Sequence, residues 1–143
     1  MKYLNNFIAF EFEKFFKDKE LEFIDVFDAY EKKYNETTKR KEKTDNRLGV
    51  WVNLLISDDK TAYEVKNKET EEKEIAKQQN YGEKMLVLVD DPNKTVDDYK
   101  KYSIRDKVVL KGFKDAKVSG RFNDVLQLQV KDVVKKNETP QPH

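Results

Sequence analysis

The sequence contains no cysteine and only one histidine, His143. Without thiols there can be no disulfide and no cysteine nucleophile, and a single imidazole cannot build the usual zinc sites or a serine–histidine pair. Glycine occurs only at positions 49, 82, 112 and 120, so neither a Walker loop nor a dinucleotide fingerprint can be assembled. We therefore expect a protein that is not an enzyme and that needs no cofactor and no metal.

Long hydrophobic runs are also absent. No apolar run approaches the ~20 residues that span a bilayer, and the apolar stretch 7–16 is broken by Glu11, Glu13 and Lys14 and lacks a small-residue cleavage site. Apolar residues make up 37% of the chain and charged residues 40%, so the core must be small. We expect a cytoplasmic protein that contacts no membrane and encloses no small-molecule substrate.

The net charge of +1 hides an uneven distribution. Residues 99–136 hold eleven basic and four acidic side chains, the most basic part of the chain. A basic segment that also reads as β-structure is typical of a surface that follows nucleic-acid phosphates. The alternative is an ordinary solvated face, and charge alone does not decide between the two.

Alternation of apolar and polar residues predicts most of the strands. It is clearest in 47–57, where Val50, Val52, Leu54 and Ile56 share one face while Trp51, Asn53 and Leu55 share the other. From this pattern and the turn signals we predict a strand at 21–30, a polar loop at 31–47, a hairpin at 48–66, an exposed helix or loop at 68–79, a buried strand at 84–89, a short helix at 95–102 capped by Thr95, and strands at 104–118 and 125–134. Gly112 predicts a bulge or bend in the first of the last two strands.

This order of elements predicts the fold. An all-β chain with one short helix between the third and fourth of five strands is the layout of the OB fold, a Greek-key barrel. An SH3-like barrel would lack the helix, and a sandwich would need about seven strands. We predict a single OB domain at 20–136, preceded by an aromatic-rich N-terminal arm at 1–19 and followed by a disordered tail at 137–143.

OB barrels bind single strands by following the phosphates with cations and stacking bases on aromatic side chains. Trp51 points away from the interior that Val50 and Val52 claim, and is the best stacking candidate. The predicted nucleic-acid-binding residues are Arg47, Trp51, Asn53, Tyr63, Tyr81, Lys84, Lys111, Phe113, Lys114, Lys117, Arg121 and Phe122. For Tyr63 and Tyr81 a role in capping the barrel is an open alternative, and Phe113 could turn inward if Gly112 forms a bulge.

The N-terminal arm is a separate question, because seven of the nine phenylalanines lie within residues 7–27. An apolar arm outside a complete barrel can cover its own barrel or dock on a neighbouring subunit, building a ring or a filament. We favour the neighbour. The predicted oligomerisation residues are Tyr3, Phe7, Phe10, Phe12, Phe15 and Phe16.

Three pairs of adjacent aspartates raise the alternative of a magnesium-dependent nuclease, since two-metal sites use clustered carboxylates. The pairs are Asp58–Asp59, Asp90–Asp91 and Asp97–Asp98. Each stands in a predicted turn or at a helix start, where aspartate has an ordinary structural role. We therefore favour a structural role for all three pairs.

Four stretches carry a resemblance to a known family: RLGVWVNLLISDD at 47–59, EKMLVLVDD at 83–91, YKKYSIRDKVVLKGF at 99–113 and VLQLQVKDVV at 125–134. In these stretches the chain resembles the OB-fold single-stranded-DNA-binding proteins of Gram-positive conjugative plasmids. The resemblance implies sequence-independent, non-enzymatic binding of single-stranded DNA, in a cooperative or filamentous assembly aided by the N-terminal arm, during plasmid transfer. Duplex DNA is a second candidate ligand. The competing hypothesis is an OB-type scaffold subunit of a transfer or replication machine that binds protein rather than DNA.

Overall fold

The computed structural model of the protein describes residues 12–119 and 125–136. Within these ranges the chain forms α1 (Phe12–Phe16), β1 (Lys19–Asn35), β2 (Arg40–Asp59), β3 (Tyr63–Lys66), β4 (Lys73–Ala76), β5 (Lys84–Val89), a 3-10 helix (Val96–Tyr99), β6 (Lys107–Ser119) and β7 (Val125–Lys135). The predicted tail at 137–143 lies outside the described residues.

Five of these strands close into a barrel in the order β1-β2-β5-β7-β6, and β6 returns to β1. Every neighbouring pair is antiparallel except β5 and β7, which are parallel. The 3-10 helix lies between β5 and β6, which are the third and fourth barrel strands. The predicted all-β, five-stranded, OB-like barrel with one short helix is therefore confirmed.

The core follows from the alternation along β2. Val50, Val52, Leu54 and Ile56 are each 0% exposed, as the sequence pattern predicted. Val87 of the neighbouring strand β5 and Leu128 and Val130 of β7 pack with them in the same core. Burying each such side chain contributes roughly 1.5–3 kcal/mol, so this interior holds the barrel together.

The prediction of a polar loop at 31–47 was wrong. Strands β1 and β2 stay paired beyond the barrel, out to Asn35 opposite Arg40. The turn is closed by hydrogen bonds from the Thr37 and Thr38 backbone N–H groups to the Asn35 side chain, and Lys39 takes a positive φ of 58°. A two-stranded ribbon in water buries neither face, so its sequence lacks the apolar alternation by which strands are recognised.

The predicted hairpin at 48–66 was also wrong. Strand β3 does not return along β2 but pairs with β4 in a separate two-stranded sheet, with Tyr63 opposite Ala76. The segment 68–79, predicted as helix or loop, thus contains a strand. The insertion is tied to the barrel because Tyr63 is buried and donates a hydrogen bond to Asp59 of β2.

Two local predictions are confirmed: the bulge next to Gly112 and the short helix after Thr95. The register of β6 against β7 shifts between Phe113 and Asp115, one residue after Gly112, which takes a φ of +67°. A Cβ at Gly112 would come within 2.5 Å of the Lys131 Cβ, so glycine is required there.

The predicted helix begins after Thr95, whose backbone N–H donates to the Asp98 carboxylate, and it is a single 3-10 turn.

The arm prediction needs correction at Phe15. This side chain is 0% exposed within the core of its own barrel, so it cannot contact a neighbouring subunit. Phe16 is partly buried against the same core. The structure describes the backbone alone of Phe12, and the other predicted oligomerisation residues, Tyr3, Phe7 and Phe10, lie outside the described residues.

Candidate nucleic-acid interface

The outer face of β1, β2 and β5 forms a surface of aromatic, aliphatic and amide side chains. On β2, Trp51, Asn53 and Leu55 point outward between the buried positions and are partly exposed. Cross-strand pairing extends each of them into a row: Phe27–Trp51–Leu88, Asp25–Asn53–Leu86 and Glu22–Leu55–Lys84. We call these nine residues the barrel platform; Glu22 and Leu88 are its two buried members.

Aromatic and apolar groups dominate the first two rows. Phe27 is 45% exposed beside Trp51, and Leu86 is 42% exposed beside Asn53. The parallel register of β5 and β7 places Gln129 next to Leu88. The half-exposed ring of Phe27 and the partly exposed ring of Trp51 can stack on nucleobases, and the neighbouring amides can hydrogen-bond to base edges.

The acidic charge of the third row is neutralised. The guanidinium Nε of Arg105 donates to Glu22 Oε1 at 2.7 Å, and this hydrogen bond holds the pKa of the Glu22 carboxyl below its usual range. Arg105 is held over β1 because its own backbone N–H donates to the Phe23 carbonyl at 2.7 Å. The platform therefore presents little net charge to a ligand, apart from Asp25 and Lys84.

The structure brings together three of the predicted residues, Trp51, Asn53 and Lys84, on the barrel platform. Arg47 lies at the base of the β1–β2 ribbon, but its guanidinium is already engaged: it donates to Asp28 Oδ1 at 2.7 Å and to the Lys94 carbonyl. Contact with Asp28 raises the pKa of Arg47. Arg47 thus braces the ribbon against the loop after β5.

The other predicted residues do not join the platform. Tyr63 is corrected: it is 2% exposed, with its hydroxyl bonded to Lys19, Asp59 and Asn80, so it cannot stack on a base. Tyr81 is 65% exposed in the turn before β5.

A separate group of predicted residues lies on β6, which is not a neighbour of β2 in the barrel. Phe113 is 41% exposed, and the Lys114 ammonium donates to the Asp90 carbonyl at 2.8 Å. Lys111 lies opposite Asp132 of β7, and Lys117 opposite Gln127. Arg121 and Phe122 lie outside the described residues.

Sequence reasoning missed Phe27 and Leu86. Strict alternation would put Phe27 on the same inward face as Phe23, four residues earlier. A register shift between Phe23 and Asp25 reverses the faces, and Phe27 points outward beside Trp51. No local signal marks this bulge, since it depends on the pairing of the two strands.

The aspartate pairs have structural roles within the described residues. Asp59 is buried against Lys19, and Asp97 pairs with Lys100. Across the described ranges no group of three or more His, Cys, Asp or Glu side chains could hold a metal ion. The helices in those ranges are too short and too polar to cross a bilayer.

Compared with known proteins, the chain matches no family model, no curated protein sequence and no solved structure. The fold is therefore assigned from the strand order alone, and the function has to be argued from the side chains.

Proposed function

We propose that this protein binds single-stranded DNA, largely independently of sequence and without catalysing a reaction. The barrel platform carries the proposal. It combines Trp51 and Asn53 of β2 with the neighbouring ring of Phe27 on β1. Strand β2 is the second barrel strand, and OB folds use the face of the second and third strands for oligonucleotides.

Stacking explains why this face need not be strongly basic. Each base stacked on an aromatic ring contributes roughly 1–3 kcal/mol whatever its identity, because every base has a π-face. Phosphates passing the rim of the platform can meet Lys84, which lies opposite Leu55. The setting in conjugative plasmid transfer, the cytoplasmic location and self-association through the N-terminal arm stay predictions from the sequence.

The test is a titration of fluorescein-labelled oligo(dT) of 10 to 60 nucleotides, followed by anisotropy at 50 and 200 mM NaCl, with a matched duplex alongside. Trp51 is the single tryptophan, so quenching of its fluorescence reports contact at the platform itself. We expect Trp51→Ala to weaken binding by roughly 5- to 150-fold and Trp51→Phe to retain most of it.

The control is Phe113→Ala, which removes a more exposed ring from β6. We expect this variant to bind as the wild type does. If Phe113→Ala weakened oligonucleotide binding and Trp51→Ala did not, the interface would lie on β6 instead. No binding of any oligonucleotide at 50 mM NaCl would overturn the proposal and favour the scaffold hypothesis.

A further inference from the structure

The β1–β2 ribbon beyond the barrel has two chemically different faces. Residues directly opposite each other in antiparallel strands share a face, as do residues two apart on one strand. The pairs Lys32–Lys43 and Tyr34–Lys41 therefore lie on one face, and Lys33–Glu42 and Asn35–Arg40 on the other.

Tyr30 belongs with the first face. The pairing shifts between Tyr30 and Lys32, so alternation does not place Tyr30. Its contact with Lys43 does, because the Lys43 ammonium sits 4.1 Å from the centre of its ring. One face of the ribbon thus carries two tyrosines and three lysines. We call Tyr30, Lys32, Tyr34, Lys41 and Lys43 the tyrosine–lysine ladder.

Two acids of the ribbon, Glu42 and Glu31, have hydrogen-bond partners of their own, and a third, Asp45, lies at the base of the ribbon, two residues after Lys43. Glu42 is on the opposite face, where its carboxylate accepts hydrogen bonds from the Asn35 amide and the Thr38 hydroxyl, both at 2.9 Å; these bonds lower the pKa of Glu42. Glu31 accepts from the Asn46 amide at 2.6 Å, and it alternates with Tyr30 and Lys32. The ladder lysines have no acidic partner within ion-pair distance in the described part of the chain.

Of the two rings of the ladder, Tyr34 is available to a ligand, while the Tyr30 ring is partly buried and lies against the cations of Lys43 and Arg47. Tyr34 is 61% exposed near the end of the ribbon. Tyr30 and Tyr34 are four residues apart on one strand, so about 14 Å separates them, with Lys32 between. An exposed ring beside a line of cations suits a flexible strand, which offers bases for stacking and phosphates for ion contacts.

We infer that the tyrosine–lysine ladder is a second contact surface for single-stranded DNA, holding the phosphates of about three nucleotides and stacking a base on Tyr34. This inference rests on the proposed function, and it adds a binding element outside the barrel platform. The ladder supplies the cations that the platform lacks.

The experiment compares two triple variants of equal charge. K32Q/K41Q/K43Q removes the ladder cations, and K33Q/K39Q/R40Q removes three cations from the opposite face and the turn of the same ribbon. For single strands, log K falls with log salt by about 0.7 per phosphate contact. We expect the ladder variant to lose about two units of this slope and roughly tenfold or more in affinity at 50 mM NaCl, and the control variant to lose neither.

Tyr34→Ala and Tyr34→Phe test the ring. We expect roughly fivefold or greater loss for alanine and none for phenylalanine. Equal losses in both triple variants would overturn the inference, since the ribbon would then act through its total charge. The inference would also be overturned if the ladder variant bound oligonucleotide as tightly as the wild type does. A wild type that binds no oligonucleotide refutes the proposed function instead, and urea melts of each variant verify that the barrel is folded.

Discussion

At the scale of single residues, the least expected feature is a fully buried ion pair between Lys19 and Asp59. Both side chains are 0% exposed, with the Lys19 Nζ 3.2 Å from Asp59 Oδ1. The ammonium also donates to the Phe15 carbonyl and the Tyr63 hydroxyl, each at 2.8 Å. Burial lowers the pKa of Lys19, and the Asp59 carboxylate opposes that shift. One cation thus joins α1, β1, β2 and β3.

We predict that Asp59→Ala strongly destabilises the protein. Removing one partner leaves the Lys19 charge buried and uncompensated, which typically costs about 3–5 kcal/mol. It also removes the acceptor for the Tyr63 hydroxyl and the Asn80 backbone N–H. The measurement is the free energy of unfolding in urea.

The neighbouring variant Asp58→Ala provides the control, because Asp58 pairs with the exposed Lys60 and such pairs contribute less than about 1 kcal/mol. If the two variants were equally stable, the buried pair would have no special role in holding α1 and β3 on the barrel.

At the scale of elements, the sequence predicted those strands that have one buried face. Strands β2 and β5 and the last two strands were found because their inward residues must be apolar. The ribbon and β4, which is the partner of β3, were missed, since exposed strands carry no such constraint. The same division holds at the site: Trp51 was found from alternation, whereas Phe27 depends on a bulge and the ladder on a ribbon that reads as loop.

The place where the ribbon leaves the barrel depends on Gly49. It has a φ of +147°, and a Cβ there would lie 2.0 Å from the Val89 carbonyl oxygen of β5. Because that contact is with backbone, a side-chain rotation cannot relieve it. Close approach of β2 and β5 at this point therefore requires glycine.

We predict that Gly49→Ala costs about 3 kcal/mol of unfolding free energy, through the clash and the displacement of β5. Gly82→Ala is the matched control. Gly82 also has a positive φ, +80°, but a Cβ there meets nothing within 4 Å. Gly82→Ala should lower the free energy of unfolding by only about 1–2 kcal/mol, the cost of placing a side chain on a backbone with positive φ. Equal costs in urea unfolding would show that β5 can move away from Gly49 freely.

At the scale of the whole molecule, the barrel is closed unevenly. Strands β1 and β2 pair along most of their lengths, but β1 and β6 pair only at Leu21–Val108 and Glu22–Lys107. Two further backbone hydrogen bonds extend this seam at Phe23: its N–H donates to the Asp106 carbonyl at 2.8 Å, and its carbonyl accepts from the Arg105 N–H at 2.7 Å. The ion pairs beside it, Lys107 and Lys136 with Glu20, are partly exposed and easily screened.

We predict that the barrel opens at this seam before it unfolds. In native-state hydrogen exchange, the Phe23 amide should exchange through a local opening with little dependence on urea, because few contacts break and little surface is exposed. Backbone amides in the centre of β2, such as Val52, should exchange through global unfolding with the full urea dependence. Adding 1 M NaCl should speed exchange at Phe23 more than at Val52, since it screens the ion pairs of Glu20. If Phe23 instead shows the urea dependence of Val52, the seam and the rest of the barrel unfold as one cooperative unit.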